Sequence, residues 1–202
     1  MAVMLAVGVT GGIGSGKTSV CRVFEQLGVP VYYADERAKS LYVRDVELQK
    51  EVKDLLGEMS YLATGEFNRE WVKSQVFSDA GLRVKLNELV HPRVFKDFEL
   101  WCGEMMAAGH AYVIKEAAIL FESGADATVD LVIGVVADRS VRMRRVMDRD
   151  GLSEAEVEDR MQSQWAQEQW MDRCAFLIHN NGDRSIIEQV HEIHKLLLLR
   201  SA

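Results

Sequence analysis

The segment Gly11-Gly12-Ile13-Gly14-Ser15-Gly16-Lys17-Thr18 fits the spacing G-x-x-x-x-G-K-[ST]. Glycines without side chains let successive backbone N–H groups turn inward on an anion. A helix opening at Lys17 would add its positive dipole end. This chemistry is phosphate binding: Gly12, Ile13, Gly14, Ser15 and Gly16 form the cradle, Lys17 reaches the β- and γ-phosphates, and the Thr18 hydroxyl binds the Mg²⁺ that accompanies ATP. A glycine-rich turn without a ligand is the plain alternative, but the motif falls between an apolar strand pattern and a helical one, the context it requires. A guanine-reading N-K-x-D is absent from the sequence.

Two further groups could act on a bound nucleoside triphosphate. Asp35 follows the apolar run Val29 to Tyr33, and in a parallel sheet it would emerge at the carboxyl edge near the phosphate loop. There it can accept the proton of an attacking hydroxyl, or it can cap a helix opening at Glu36. Arg139, Arg142, Arg144, Arg145 and Arg149 form a basic cluster after a later strand pattern. Charge runs are usually solvated faces. This one, however, follows a strand whose end borders the nucleotide, so Arg145 and Arg149, on one helix face, can neutralise charge on the transferred group. Glu116, at the end of another strand, can hold Mg²⁺ through water or serve as a structural acid.

The elements that must position these groups alternate. Strand patterns occupy Leu5 to Val9, Val29 to Tyr33, Ala111 to Ala117, Asp130 to Val136 and Phe176 to His179. Helical patterns occupy Lys17 to Leu27, Glu36 to Val43, Glu47 to Leu56, Glu70 to Val76, Asp79 to Ala107, Arg139 to Arg149, Glu154 to Met171 and Ser185 to Leu199. The order predicts an α/β fold: a five-stranded parallel sheet with helices on both faces. The interval from Tyr33 to Ala111 exceeds a single crossover and predicts an inserted helical subdomain. One domain is expected, with its core over about 1–40, 110–138 and 172–202, the insertion over about 41–109 and a lid over about 139–171.

Composition narrows the partners. The 202 residues are 48% hydrophobic and carry a formal net charge of −7, which speaks against general nucleic-acid binding. No apolar stretch approaches the ~20 residues of a membrane span, and Met1 to Val9 reads as a buried strand, not a leader. Cys21, Cys102 and Cys174 fall in no metal-binding spacing and suit a reducing cytoplasm. Oligomeric state is left open. His191 and His194 read as helix residues, and Trp165 and Trp170 as packing residues.

The chain resembles the dephospho-CoA kinase family, a group with a P-loop NTPase fold. Gly8-Val9-Thr10-Gly11-Gly12-Ile13-Gly14-Ser15-Gly16-Lys17-Thr18 is similar to its phosphate loop. Tyr33-Ala34-Asp35 stands where the family has D-A-D, with Tyr33 replacing the first aspartate and Asp35 matching the second, usually regarded as the base. Asn68-Arg69, Val76-Phe77, Leu89-Val90-His91-Pro92 and Ile119-Leu120-Phe121-Glu122 continue the likeness, with Ala118 where proline is usual. Arg145-x-x-x-Arg149-Asp150, Arg160-x-x-x-Gln164 and Asn180-Asn181-Gly182 resemble the lid and the turn beside the adenine. The resemblance implies transfer of the ATP γ-phosphoryl group to the ribose 3′-hydroxyl of dephospho-CoA, the last step of coenzyme A biosynthesis. Asp35, Lys17 and Arg145 would be catalytic, and Asn180 would touch ATP. Arg69, otherwise an exposed helix arginine, and His91, otherwise a hydrogen-bonding helix residue, would bind the acceptor. The competing readings are a nucleoside or nucleotide kinase and a nucleotide-binding regulator that transfers no phosphate.

Overall fold

The computed structural model describes residues 4–201, so the first three residues of the expected opening strand lie outside it. Five strands form one parallel sheet: β1 (Leu5–Thr10), β2 (Val31–Tyr33), β3 (Tyr112–Glu116), β4 (Leu131–Val136) and β5 (Phe176–His179), in the order β2-β3-β1-β4-β5. β1 is central. Val9 pairs with Glu116 of β3 on one side and Ile133 of β4 on the other, so the loop leaving β1 lies between two strand ends. In such a sheet the carboxyl edge, where connections leave in opposite directions, is where ligands bind.

Burial explains why these runs are strands. All five residues of β3 are buried, as expected for a parallel sheet covered on both faces. On one face Val7, Val9, Ile114, Ile133, Val135 and Ile178 meet α1 (Lys17–Gln26) and α8 (Ile186–Ser201) through Val20, Phe24, Val190, Ile193 and Leu197. Each such side chain stabilises the fold by about 1.5–3 kcal/mol. The Tyr112 hydroxyl and His194 Nδ1 are 2.5 Å apart, which gives that histidine a structural role. On the other face Gly8 makes room for Leu120 and Val129, and Gly134 for Trp170.

The remaining helices are α2 (Ala34–Arg44), α3 (Val46–Leu56), α4 (Arg69–Ser78), α5 (Ala80–Ala107), α6 (Arg139–Asp150) and α7 (Glu154–Gln162). Their ends follow capping chemistry. Asp45 accepts from the Leu48 N–H, Asn68 from the Trp71 N–H, and Ser153 with Glu156 makes a capping box.

Three of the boundaries that depart from the sequence reading bear on the site or its surroundings. β2 begins at Val31, because Pro30 has no N–H and the Val29 N–H closes α1 on the Phe24 carbonyl. α2 begins at Ala34, so Asp35 lies inside the first turn and does not cap a helix opening at Glu36. The expected helix from Glu154 to Met171 stops at Gln162, because the Trp165 N–H goes to Glu122 and short 3₁₀ turns follow at Gln167–Gln169 and Met171–Arg173.

The chain divides into two compact units, Met1–Tyr33 with Trp101–Ala202, and Ala34–Leu100. In the second, Arg93 bridges Asp45 at 3.2 Å and Glu51 at 2.8 Å, and Arg44 pairs with Asp97. Tyr42 stacks on Phe67 at 4.1 Å, and the Tyr61 hydroxyl donates to the Tyr42 carbonyl at 2.9 Å.

Lys115 is fully buried in β3, where its ammonium donates to Thr128 Oγ1 at 2.8 Å. Burial lowers its pKa to about 8, against a smaller upward effect from Cys102. The unfolded chain holds this proton to about pH 10.4. Between those values the folded state binds fewer protons, so this group's contribution to stability rises with pH across the window. Lys115→Met is therefore expected to melt above the wild type at pH 7.5, with the gap closing towards pH 10. Thermal denaturation of both proteins across that range is the check, and a constant gap would show that the charge is not buried.

Candidate active site

The phosphate loop is built from close approaches that admit no side chains. Gly16 has φ +96, a left-handed conformation, and a Cβ there would collide with Asn180 Nδ2. Gly14 has φ +79, and its Cβ would sit 2.5 Å from the Arg142 carbonyl oxygen. The Ser15 N–H donates to the Gly12 carbonyl at 3.0 Å, and α1 starts at Lys17. Lys17 Nζ donates to the Gly11 carbonyl at 2.7 Å, which holds the ammonium over the loop.

Side chains from α6 and from the residue just past β5 close around this loop. Asn180 Nδ2 donates to the Ser15 carbonyl at 2.7 Å, and Asn180 Oδ1 accepts from Arg145 Nη2 at 3.4 Å. Asn180 thus fixes both the loop and the arginine. Arg145 Nη1 and Ser15 Oγ are buried and carry no hydrogen-bond partner among the described residues. Leaving such groups unmet costs about 1–3 kcal/mol each, more for a charged one, so they mark where a polar ligand belongs.

The structure brings together Gly12 to Thr18, Arg145 and Asn180. Arg149 lies one turn further along α6, exposed and paired with Asp150, whose carboxylate also meets Arg160 at 3.3 Å. Asp35 is exposed, two residues beyond the end of β2. Arg69 is the exposed first residue of α4. His91 is half-buried in α5 beside Phe95, and burial holds its pKa below the usual histidine value. Burial, followed by nearby negative charge that includes Glu25, holds the Tyr33 phenol protonated.

Two residues at the loop had no role of their own in the sequence reading, Arg142 being named only in the basic cluster and Gln164 only in the lid pattern. The Arg142 guanidinium packs against Gly12, donates from Nε to the Ala137 carbonyl at 3.1 Å, and has its pKa lowered by burial. Its place one helical turn before Arg145 was the available signal. Gln164 accepts from the Ile13 N–H at 2.8 Å. A cavity of about 420 Å³ adjoins these groups, lined by Ala137, Arg142, Glu158, Gln164, Trp165 and Glu168 among others.

The three cysteines are free, and burial raises Cys102 and Cys174 to about 11 and Cys21 further, so none is a thiolate at neutral pH. Glu116 is buried at the end of β3, in register between Val9 and Tyr33. With the Thr18 hydroxyl it offers the oxygen donors that suit Mg²⁺. Among the described residues no group of three histidine, cysteine or acidic side chains forms a metal cage, and no helix is long and apolar enough to cross a membrane.

A parallel sheet in this order, with a glycine-cradled lysine and an arginine helix facing it, defines a P-loop kinase. The dephospho-CoA kinase family model matches residues 5–185. A dephospho-CoA kinase of Salinibacter ruber is 40% identical over 179 residues, covering 89% of this chain and 90% of its own. One of Chlorobaculum tepidum is 39% identical, covering 93% and 94%. A Thermus thermophilus protein of known structure superposes with TM-score 0.81 at 30% identity, covering 96% and 97% of the two chains. The Campylobacter jejuni dephospho-CoA kinase shares the fold, with TM-score 0.73 at 21% identity and 98% of each chain covered. The chain belongs to the dephospho-CoA kinase family.

Proposed function

We propose that Lys17, Arg145 and Asp35 carry the reaction of this family in this chain: transfer of the ATP γ-phosphoryl group to the ribose 3′-hydroxyl of dephospho-CoA. The observation that carries the reading is the buried, unpartnered Arg145 Nη1 beside a loop shaped for phosphates.

The loop N–H groups other than that of Ile13, which Gln164 engages, hold the phosphates together with the start of α1. Lys17 exchanges the Gly11 carbonyl for β- and γ-phosphate oxygens, and Arg145 turns its free nitrogen to the transferred group. Arg149 gives a second positive charge where α6 meets the nucleotide, and Asn180 orients Arg145 against it. The acceptor oxygen attacks the γ-phosphorus in line. The bond to the β–γ bridging oxygen breaks, ADP leaves, and the hydroxyl proton passes to the Asp35 carboxylate. Arg69 offers a guanidinium fork to the acceptor's phosphates, and His91, held neutral, a hydrogen bond. Thr18 directly, and Glu116 through water, would hold Mg²⁺, which neutralises phosphate charge when bound. Residues 139–171 act as the lid that keeps water from the γ-phosphate. Three free, protonated thiols suit a reducing cytoplasm.

The test is ADP release from ATP-Mg²⁺ and dephospho-CoA, with coenzyme A detected by mass. Acceptor-dependent ADP with the matching product mass is expected. ATP binding without transfer, or transfer only to nucleosides or nucleotides, would overturn the acceptor assignment.

A further inference from the structure

Ile13 is the one residue with a bulky side chain in the stretch from Gly11 to Gly14, and both its neighbours are glycines. Glycine-flanked peptides have the widest conformational freedom in a chain, so the Gly12–Ile13 peptide needs an outside restraint to hold one orientation. Two are present. The Ile13 side chain packs against the small apolar cluster of Met143, Val146 and Val157, which belongs to α6 and α7. Its N–H donates to Gln164 Oε1 at 2.8 Å, while Gln164 Nε2 donates to the Ala118 carbonyl at 3.3 Å, just past the end of β3. The neighbouring Trp165 N–H is anchored on Glu122 at 3.0 Å. One amide side chain therefore joins the phosphate loop, the exit of β3 and the segment that follows α7.

We infer that Gln164 is a positioning residue for phosphoryl transfer: it fixes the Gly12–Ile13 peptide and ties the loop's conformation to the seating of the segment after α7. It acts through Ile13 and Ala118, not on the substrate. The inference rests on the assignment of the loop to the donor nucleotide. Because the Ile13 N–H already has an acceptor, Gln164 adds little to nucleotide affinity. Its effect falls on alignment, where misplacement of about 1 Å can cost 10²-fold in rate.

The test is Gln164→Met, which keeps the length of the side chain and removes both hydrogen bonds, beside Gln164→Glu, which keeps the acceptor for Ile13. Amide hydrogen exchange of the nucleotide-free protein reads the clamp whatever the acceptor. Expected are at least tenfold faster exchange at Ile13 in the methionine variant and near-native protection in the glutamate variant. Steady-state kinetics of the methionine variant should show kcat down about 10- to 100-fold. Its KM for ATP and its ADP dissociation constant should stay within about threefold of wild type, the pattern of lost transition-state alignment. Unchanged Ile13 exchange in Gln164→Met would remove the clamp, and faster exchange with unchanged kcat would remove the positioning role. A loss of ADP affinity matching the loss of kcat/KM would make Gln164 a ground-state binding residue instead. Failure of wild type to phosphorylate dephospho-CoA would overturn the acceptor assignment, and the exchange result would still decide the clamp.

Discussion

Arg145→Met is expected to lower kcat by about 10³-fold or more, the range spanned by arginines that neutralise a transferring phosphoryl group. The methionine keeps the aliphatic stem in its place on α6, where Met143 and Val146 are buried, so the helix should survive the change. What goes is the guanidinium, with one nitrogen on Asn180 and another buried and unmet. A group unmet without ligand and satisfied by the transferring group stabilises the transition state more than it stabilises the free enzyme. The loss should therefore appear in kcat more than in ADP affinity. Arg145→Lys should recover little, because an ammonium cannot keep Asn180 and the phosphoryl group together as a planar fork can. Steady-state kinetics with ADP titration is the check, and a kcat loss below tenfold would assign the charge neutralisation to Arg142 or Lys17.

Asp35→Asn is the second large effect, with an expected kcat loss of about 10²- to 10⁴-fold, the usual worth of a positioned general base. Asparagine matches the shape of the carboxylate and cannot take a proton. Because Asp35 lies within the first turn of α2 and makes no cap to α2, a stability cost should not obscure the result. Single-turnover measurement with saturating ATP and acceptor isolates the chemical step. Wild-type turnover with unaltered acceptor binding would leave Asp35 without the proton-transfer role.

The parallel sheet was legible because its strands, buried on both faces, are short apolar runs, and parallel connections need helices between them. The phosphate loop was legible for a different reason: its chemistry is local, eight consecutive residues whose backbone does the binding. Arg145 could be singled out from its place after β4, but its partner Asn180 sits 35 positions away and only the sheet brings the two together. Gln164 lies 151 positions from Ile13, so no spacing rule reaches it. Its surroundings also misled the helix reading, since the periodic pattern from Glu154 continues while tertiary hydrogen bonds to Glu122 and Ala118 end the helix. Lys115 was hidden likewise: a lysine inside an apolar run gives no hint that Thr128 receives it. Arg149 was less legible than Arg145, because a shared helix face does not tell which of two arginines the neighbouring Asp150 engages.

The division of the chain into Ala34–Leu100 and the remainder runs parallel to the roles proposed for the site residues. Lys17, Arg142, Arg145, Gln164 and Asn180 belong to the discontinuous unit, while Asp35, Arg69 and His91 belong to the inserted one. Such a layout separates two tasks along the chain. Under these proposed roles the choice of alcohol is encoded in one uninterrupted stretch of the gene, and the handling of the triphosphate on either side of it.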